Sequence, residues 1–280
     1  MNWGRAKTIL IIMFLTVDIF LLCVLLQTRS DYEQLPKETV EKTVQILQDK
    51  GIKIQTETVP RQRTKNQNIV LKNYFSNPAQ AAELMLGICE VKLSDDENHE
   101  YLFENEEATL KVKDTFFTYT SKKKVMPYGS GEKTDTKIVQ ENLKKLGFKA
   151  NEFTVLQEQN ASGLFEGRII PLYNGKKICG ISMNVKADKE GILSLEGHWF
   201  SSAEAESYGN EPLLDITAVL VNVIYRNDQW PKSVEAIESC FYTSGDYLES
   251  REISATPIYV ITDQSGHQKY FDARVGNEIE

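Results

Sequence analysis

Residues 163–185 read GLFEGRIIPLYNGKKICGISMNV, and their pattern decides the fold class. Two strand-like runs, Gly163–Leu172 and Lys177–Val185, flank Tyr173-Asn174-Gly175-Lys176. Asn-Gly supplies two residues that tolerate positive φ, which is what a tight hairpin turn requires. The stretch is therefore an antiparallel hairpin. Downstream, Ile192–Phe200 predicts another strand, and Pro212–Arg226 an apolar helix whose Leu213, Ile216, Leu220 and Val223 form one stripe. Such a stripe needs a sheet to cover it. Val234–Thr243 and Pro257–Thr262 predict strands, and Asp263-Gln264-Ser265-Gly266 turns the chain into a last one, Gln268–Ala273.

Upstream, a similar order occurs. Pro36–Lys50 is an amphipathic helix with Leu35, Val40, Val44 and Leu47 at three- to five-residue spacing, stopped by Gly51 and followed by a strand beginning at Ile52–Ile54. Asp135–Lys145 repeats the plan with Ile138, Val139, Leu143 and Leu146, the stop Gly147 and a strand Glu152–Gln159. LQDKGIKI and LKKLGFKA thus form a weak internal repeat. Between them lie a strand Ile69–Phe75, a helix Pro78–Leu86 opened by Asn77, and strands Tyr101–Glu104, Ala108–Val112 and Thr115–Ser121. The segment Ser121–Thr136 collects glycines, a proline and lysines, as a linker does. Hairpins outnumber long crossovers, so the expectation is an α+β body of two helix-plus-antiparallel-sheet halves, residues 31–122 and 137–280, joined by a linker at 123–136.

Ahead of that body stands Ile9–Leu26, ILIIMFLTVDIFLLCVLL. At the helical rise this run spans about 27 Å, close to a bilayer's hydrocarbon thickness. Arg5 and Lys7 precede it, and Asp31, Glu33 and Glu38 follow. The positive-inside rule puts residues 1–8 in the cytoplasm, makes 9–27 an uncleaved single-pass anchor in the plasma membrane and places the remainder outside the cell. Trp3, Arg5 and Lys7 are the residues expected at the inner interface. A cleaved signal peptide or a buried core helix are the competing readings, but the exit LLQTRSDYE has no small-x-small site. Asp18 is the one acid in the run. A carboxyl group at mid-bilayer costs about 2.5–3.5 kcal/mol, so Asp18, with Thr16, is the expected contact to another membrane helix.

Composition excludes several classes. Hydrophobic residues are 41% and charged residues 26% of 280, an ordinary globular balance. Net charge is −8 and the pI about 5.2, against a nucleic-acid partner. Mean hydropathy is −0.36, too polar for several membrane spans. Outside the anchor the cysteines are Cys89, Cys179 and Cys240; one disulfide plus a free thiol, or three small apolar residues in the core, both fit.

No catalytic or metal-binding motif emerges, so no enzyme activity and no cofactor are expected. His99, His198 and His267 have no second ligand at metal spacing. In Gly129-Ser130-Gly131-Glu132-Lys133-Thr134, Glu132 occupies the place of the glycine before the lysine of a phosphate loop. Asp95, Asp96 and Glu97 lack the glycine and ligand alternation of a calcium loop. Lys122–Lys124 read as solvated, Asn160-Ala161-Ser162 matches a glycosylation sequon, and Glu204 and Glu206 point apart on a helix.

Asn2-Trp3, Lys7-Thr8-Ile9, Phe14-Leu15 and Val17-Asp18-Ile19-Phe20-Leu21 resemble the opening of the YycI family of bitopic membrane proteins of Gram-positive bacteria. Length and element order along the whole chain agree with the resemblance. Residues 257–260 and 270–276 are also similar to the closing hairpin of PepSY-type domains. The resemblance implies a regulator of WalK, the sensor histidine kinase controlling cell-wall metabolism, in a membrane complex with YycH. It makes Asp18 and Thr16 candidates for kinase or YycH contact and supplies no catalytic residues. The alternative is an anchored module that binds an extracytoplasmic ligand or wall fragment.

Overall fold

The computed structural model describes residues 3–32, 34–64, 67–128, 136–157, 163–206, 213–226, 232–243 and 252–279. In chain order the elements begin α1 (Trp3–Tyr32), α2 (Lys37–Asp49), β1 (Asn68–Asn73), α3 (Pro78–Leu86), β2 (Glu90–Asp95), β3 (Glu100–Glu104), β4 (Ala108–Lys113) and β5 (Phe116–Ser121). They continue with α4 (Thr136–Lys145), β6 (Phe153–Gln157), β7 (Phe165–Tyr173), β8 (Lys176–Cys179), β9 (Met183–Ala187), β10 (Ile192–His198) and β11 (Phe200–Glu206). The last are α5 (Ile216–Arg226), β12 (Ala236–Tyr242), β13 (Glu252–Thr262), β14 (Gln268–Asp272) and β15 (Glu278–Ile279). The class is α+β, with five α-helices among the described residues and almost wholly antiparallel pairing.

The chain divides into two compact units built from non-consecutive stretches. Unit 1 comprises Met1–Lys65, Leu213–Glu238 and Tyr259–Glu280; unit 2 comprises Asn66–Pro212 and Ser239–Ile258. This differs from two consecutive halves. β5, from the first expected half, pairs with β10 of the second, Ser194 facing Thr120 and His198 facing Phe116. A strand with a ladder to make on each side takes whichever neighbour the fold offers, and β4 fills the other side of β5.

In unit 2 the strands follow the hydrogen-bonded order β10-β5-β4-β3-β2 at one end, with β9, β7 and β8 on the other side of β10. Their alternating pattern buries Leu110, Phe117, Phe165, Ile169 and Leu195 in one core. α3 and α4 lay Ala82, Met85, Val139 and Leu143 into it, and Trp199 meets Phe148 edge-on at 5.3 Å between ring centres. The Asn77 side chain accepts from Gln80 N at 3.2 Å and Pro78 fills the first turn of α3, as the sequence leads one to expect. In unit 1, α2 buries Val40, Val44 and Leu47, α5 buries Ile216, Val219 and Leu220, and both faces join Tyr259, Ile261 and Phe271. Each fully buried side chain of this size is worth about 1.5–3 kcal/mol.

The turn at Asn174 (φ 48°) and Gly175 (φ 78°) is present between β7 and β8. The expected strand Lys177–Val185, however, breaks at Gly180 (φ 91°), where the chain runs against the Thr243 carbonyl so closely that no Cβ would fit. Ile192–Phe200 likewise divides at Trp199. Ile52–Ile54 makes only an isolated bridge, Lys53 to Ser233, because a 3-10 turn begins at Thr56. β2 was not foreseen. The linker reading also needs correcting: residues 123–128 are tied to the β9–β10 turn, with Met126 N donating to Asp188 Oδ2 at 2.7 Å and the Tyr128 hydroxyl to Asp188 O at 3.0 Å. Residues 129–135 of that segment, the Gly129–Thr134 stretch and the Asn160 sequon lie outside the described residues.

Candidate functional site

α1 is a single helix of 30 residues, and its side chains from Leu10 to Val24 are all exposed. The absence of any internal helix breaker allows this length, and no element of polar periodicity gives it a wet face. Among the described residues no helix is long and apolar enough to cross a membrane. The contiguous described side chains of α1, Leu10–Val24, extend about 22 Å at the helical rise. Thr16 Oγ1 donates to the Ile12 carbonyl at 2.8 Å, so its proton is spent inside its own helix. Asp18 is exposed and lies half a turn further on. Lys7 is exposed; the side chains of Trp3 and Arg5 fall outside the described residues.

Unit 2 has a cleft of about 250 Å³ walled by Met85, Tyr119, Lys124, Lys145, Leu146 and Glu190. Burial pushes the Tyr119 hydroxyl pKa up, which keeps it a protonated donor. Lys123, also in the wall, pairs with Glu107 at 3.1 Å, and Lys145 donates to Asn142 Oδ1 at 3.2 Å. Beneath them sits Asp188, only 2% exposed, whose Oδ1 accepts from Glu190 N at 2.9 Å and Gly191 N at 3.1 Å. Sequence reasoning passed over Asp188, although Asp188-Lys189-Glu190-Gly191 is an aspartate-led turn. Unit 1 has a cleft of about 550 Å³, bordered by Gln48, Ile54, Gln55, Thr58, Glu235 and Gln264.

The histidines occupy three unrelated settings. His99 pairs with Asp114 at 3.3 Å in an exposed turn. His198 is half-buried; Nδ1 meets Thr115 Oγ1 at 2.8 Å, and burial holds its pKa below the ordinary value. His267 Nδ1 meets Ser265 Oγ at 2.8 Å, and that hydroxyl also meets Asp263 Oδ1 at 2.6 Å. The trio has the membership of a hydrolase triad but not its relay: the serine bonds the carboxylate directly, and His267 turns one nitrogen, Nδ1, to both the serine and Asp263 Oδ2, 3.5 Å away. Asp263 Oδ1 also accepts from the backbone of Ser265 and His267, so the group closes the turn into β14.

Asp95 takes both the backbone and the amide of Asn98, and Asp96 takes the Tyr101 hydroxyl, so these carboxylates shape the β2–β3 hairpin. No group of three His, Cys, Asp or Glu among the described residues could hold a metal ion. None of the four cysteines is in a disulfide; Cys240 is buried, whereas Cys89 and Cys179 are only partly so.

No family model matches the chain, and no curated protein matches its sequence. Among solved structures, an uncharacterized protein from Eubacterium rectale is similar over 82% of this chain and 89% of its own, with a TM-score of 0.49 and 13% identity. The C-terminal domain of YpeB from Bacillus megaterium is similar over 72% of this chain and 93% of its own, with a TM-score of 0.41 and 9% identity.

Proposed function

We propose that this chain is a membrane-anchored, non-enzymatic regulator of a WalK-type sensor histidine kinase, acting with a YycH-like protein. Support comes first from the apolar run Ile9–Leu26, which falls wholly inside α1 and continues past its described side chains at both ends. The basic flank Arg5 and Lys7 supports a cytoplasmic N-terminus and an extracytoplasmic body. The resemblance of residues 2–21 to the YycI family supplies the kinase.

The observation that carries the reading is Asp18. With the Thr16 hydroxyl proton bound to Ile12, the carboxyl group is the remaining polar group at that level of α1. In lipid it gains most from a donor on a neighbouring helix, an interaction worth roughly 0.6–2 kcal/mol. Regulation further requires that this contact differ between two kinase states, because a ligand binding both equally shifts nothing. Replacing Asp18 with Leu should reduce co-purification of the kinase from detergent extracts and change its phosphorylation output. Wild-type recovery and output in that variant refute the Asp18 contact. Crosslinking from positions flanking Asp18, with the captured proteins identified by mass, tests the partners directly.

The alternative, a wall-fragment-binding module, is favoured by the unit 2 cleft, whose lysines and carboxylates suit a ligand bearing both charges. Muropeptides should then raise the melting temperature, and a Lys124→Glu variant should lose that rise.

A further inference from the structure

β2 is an edge strand: among the described residues it pairs with β3 on one side and has no strand on the other. Every residue from Glu90 to Ser94 is exposed, and three apolar side chains are among the most exposed of unit 2. Ile88 is 100% exposed, Val91 59% and Leu93 43%. An open strand edge presents unpaired N–H and C=O groups and is a template for another strand.

The charges on this edge select the partner. Glu90 and Lys92 lie on the same side of the strand, their side chains 2.6 Å apart, with Val91 between them. A lysine on an edge ordinarily repels added strands, because its ammonium would be left without a partner over the new ladder. A second copy of the same strand, running antiparallel about an axis through Val91, adds a carboxylate to the two that Lys92 meets in its own copy, Glu90 at 2.6 Å and Glu104 at 3.9 Å. It sets Glu90 opposite Lys92, Lys92 opposite Glu90 and Val91 opposite itself. Moving the axis to Lys92 puts two lysines face to face, and moving it between Lys92 and Leu93 puts Glu90 against Asp95. Neighbouring Glu104, besides its approach to Lys92, accepts from Lys122.

We propose that β2 pairs antiparallel with β2 of a second copy of this chain, on a two-fold axis at Val91, with the Glu90–Lys92 cross-pairs fixing the register. The axis also brings Cys89, the residue just ahead of β2, level with Leu93 of the other copy. The slip in register between Val91 and Leu93 twists the strand there and keeps the new ladder short. So short a ladder buries less than the roughly 1,200 Å² of a stable soluble interface, and the pairing is weak and reversible. On the reading that α1 is an anchor, confinement to one membrane raises the local concentration and offsets that weakness.

The test uses the full chain, purified in detergent and returned to lipid vesicles, with Cys23→Ser and Cys89→Ser to remove the native thiols on α1 and beside β2. Val91→Cys should form an intermolecular disulfide under mild oxidation, since opposed residues of an antiparallel pair stand at about the required separation. Leu156→Cys, on β6, serves as the control. In that setting Glu90→Lys alone and Lys92→Glu alone should each lower the crosslinked fraction at least ten-fold. The double variant should restore it. The two single variants, differently tagged and mixed, should crosslink to each other, because the two lysines of one copy then face the two glutamates of the other. That rescue also shows that both variants are folded. No Val91→Cys crosslink above the Leu156→Cys control, or no recovery in the mixture, overturns the proposal.

Discussion

Asp188 offers the sharpest stability experiment, because one buried carboxylate holds three backbone N–H groups from two segments. Met126 N lies 2.7 Å from Oδ2, and Glu190 N and Gly191 N lie 2.9 Å and 3.1 Å from Oδ1. In Asp188→Ala all three donors lose their acceptor. A fully buried orphan donor costs about 1–3 kcal/mol, but these three sit near the surface and recover water, so the lower end applies to each. Removing the charge also relieves its own desolvation. The expected loss is about 2–4 kcal/mol. Asp188→Asn keeps an oxygen for Glu190 and Gly191 but aims an amide N–H₂ at Met126 N–H, so only that bond is lost and the others become neutral ones. Its expected loss is about 1–2 kcal/mol. Urea unfolding of the full chain in micelles measures both, with the fluorescence of Trp199, buried against Phe148, among the signals. Amide exchange then separates the segments: Met126 should lose protection in both variants, Glu190 and Gly191 only in the alanine variant. Equal destabilisation by Ala and Asn, or a protected Met126 amide in either, refutes the reasoning.

Other measurements follow from the same geometry. His198 titrates below its ordinary value in the folded chain because it is half-buried, so the unfolded chain binds more protons below about pH 6.5. Stability should be full above that pH and fall as the solution is acidified through it, with His198→Asn flattening the melting temperature between about pH 7 and pH 5. An unchanged slope in the variant places the effect elsewhere. Gly180→Ala should cost about 2–4 kcal/mol, since it adds a positive-φ penalty to a collision with the Thr243 carbonyl. A melting temperature indistinguishable from wild type would show that the backbone there yields freely.

The two candidate surfaces are unequally legible. Asp18 stands out in the sequence because a lone carboxylate in an apolar run breaks a local rule, and its spacing from Thr16 is visible there too. What the sequence conceals is that Thr16 turns its proton back to Ile12, which leaves the two residues unlike. β2 escapes for a different reason. Glu-Val-Lys-Leu-Ser does alternate polar and apolar residues, a strand signal the sequence reading passed over, but with only two apolar residues it is short, and the folded strand buries neither of them. The Ser265–His267–Asp263 group is equally hidden, although Asp263 to Gly266 reads as a turn; its side-chain bonds depend on rotamers that spacing does not specify.

By itself the sequence determined the elements whose causes are local. Asn77 and Pro78 start α3, Asn174 and Gly175 turn β7 into β8, and the apolar faces of α2 and α4 are written at helical spacing, because each depends on residues within a few positions of one another. Tertiary structure alone decided which strands are neighbours. The pairing of β5 with β10, the break of a strand at Gly180 against Thr243, the pinning of residues 123–128 by Asp188 and the assembly of two units from interleaved stretches all join residues far apart in the chain. Backbone hydrogen bonds between strands are chemically alike whichever strands make them, so only the packing of the whole chain selects among them.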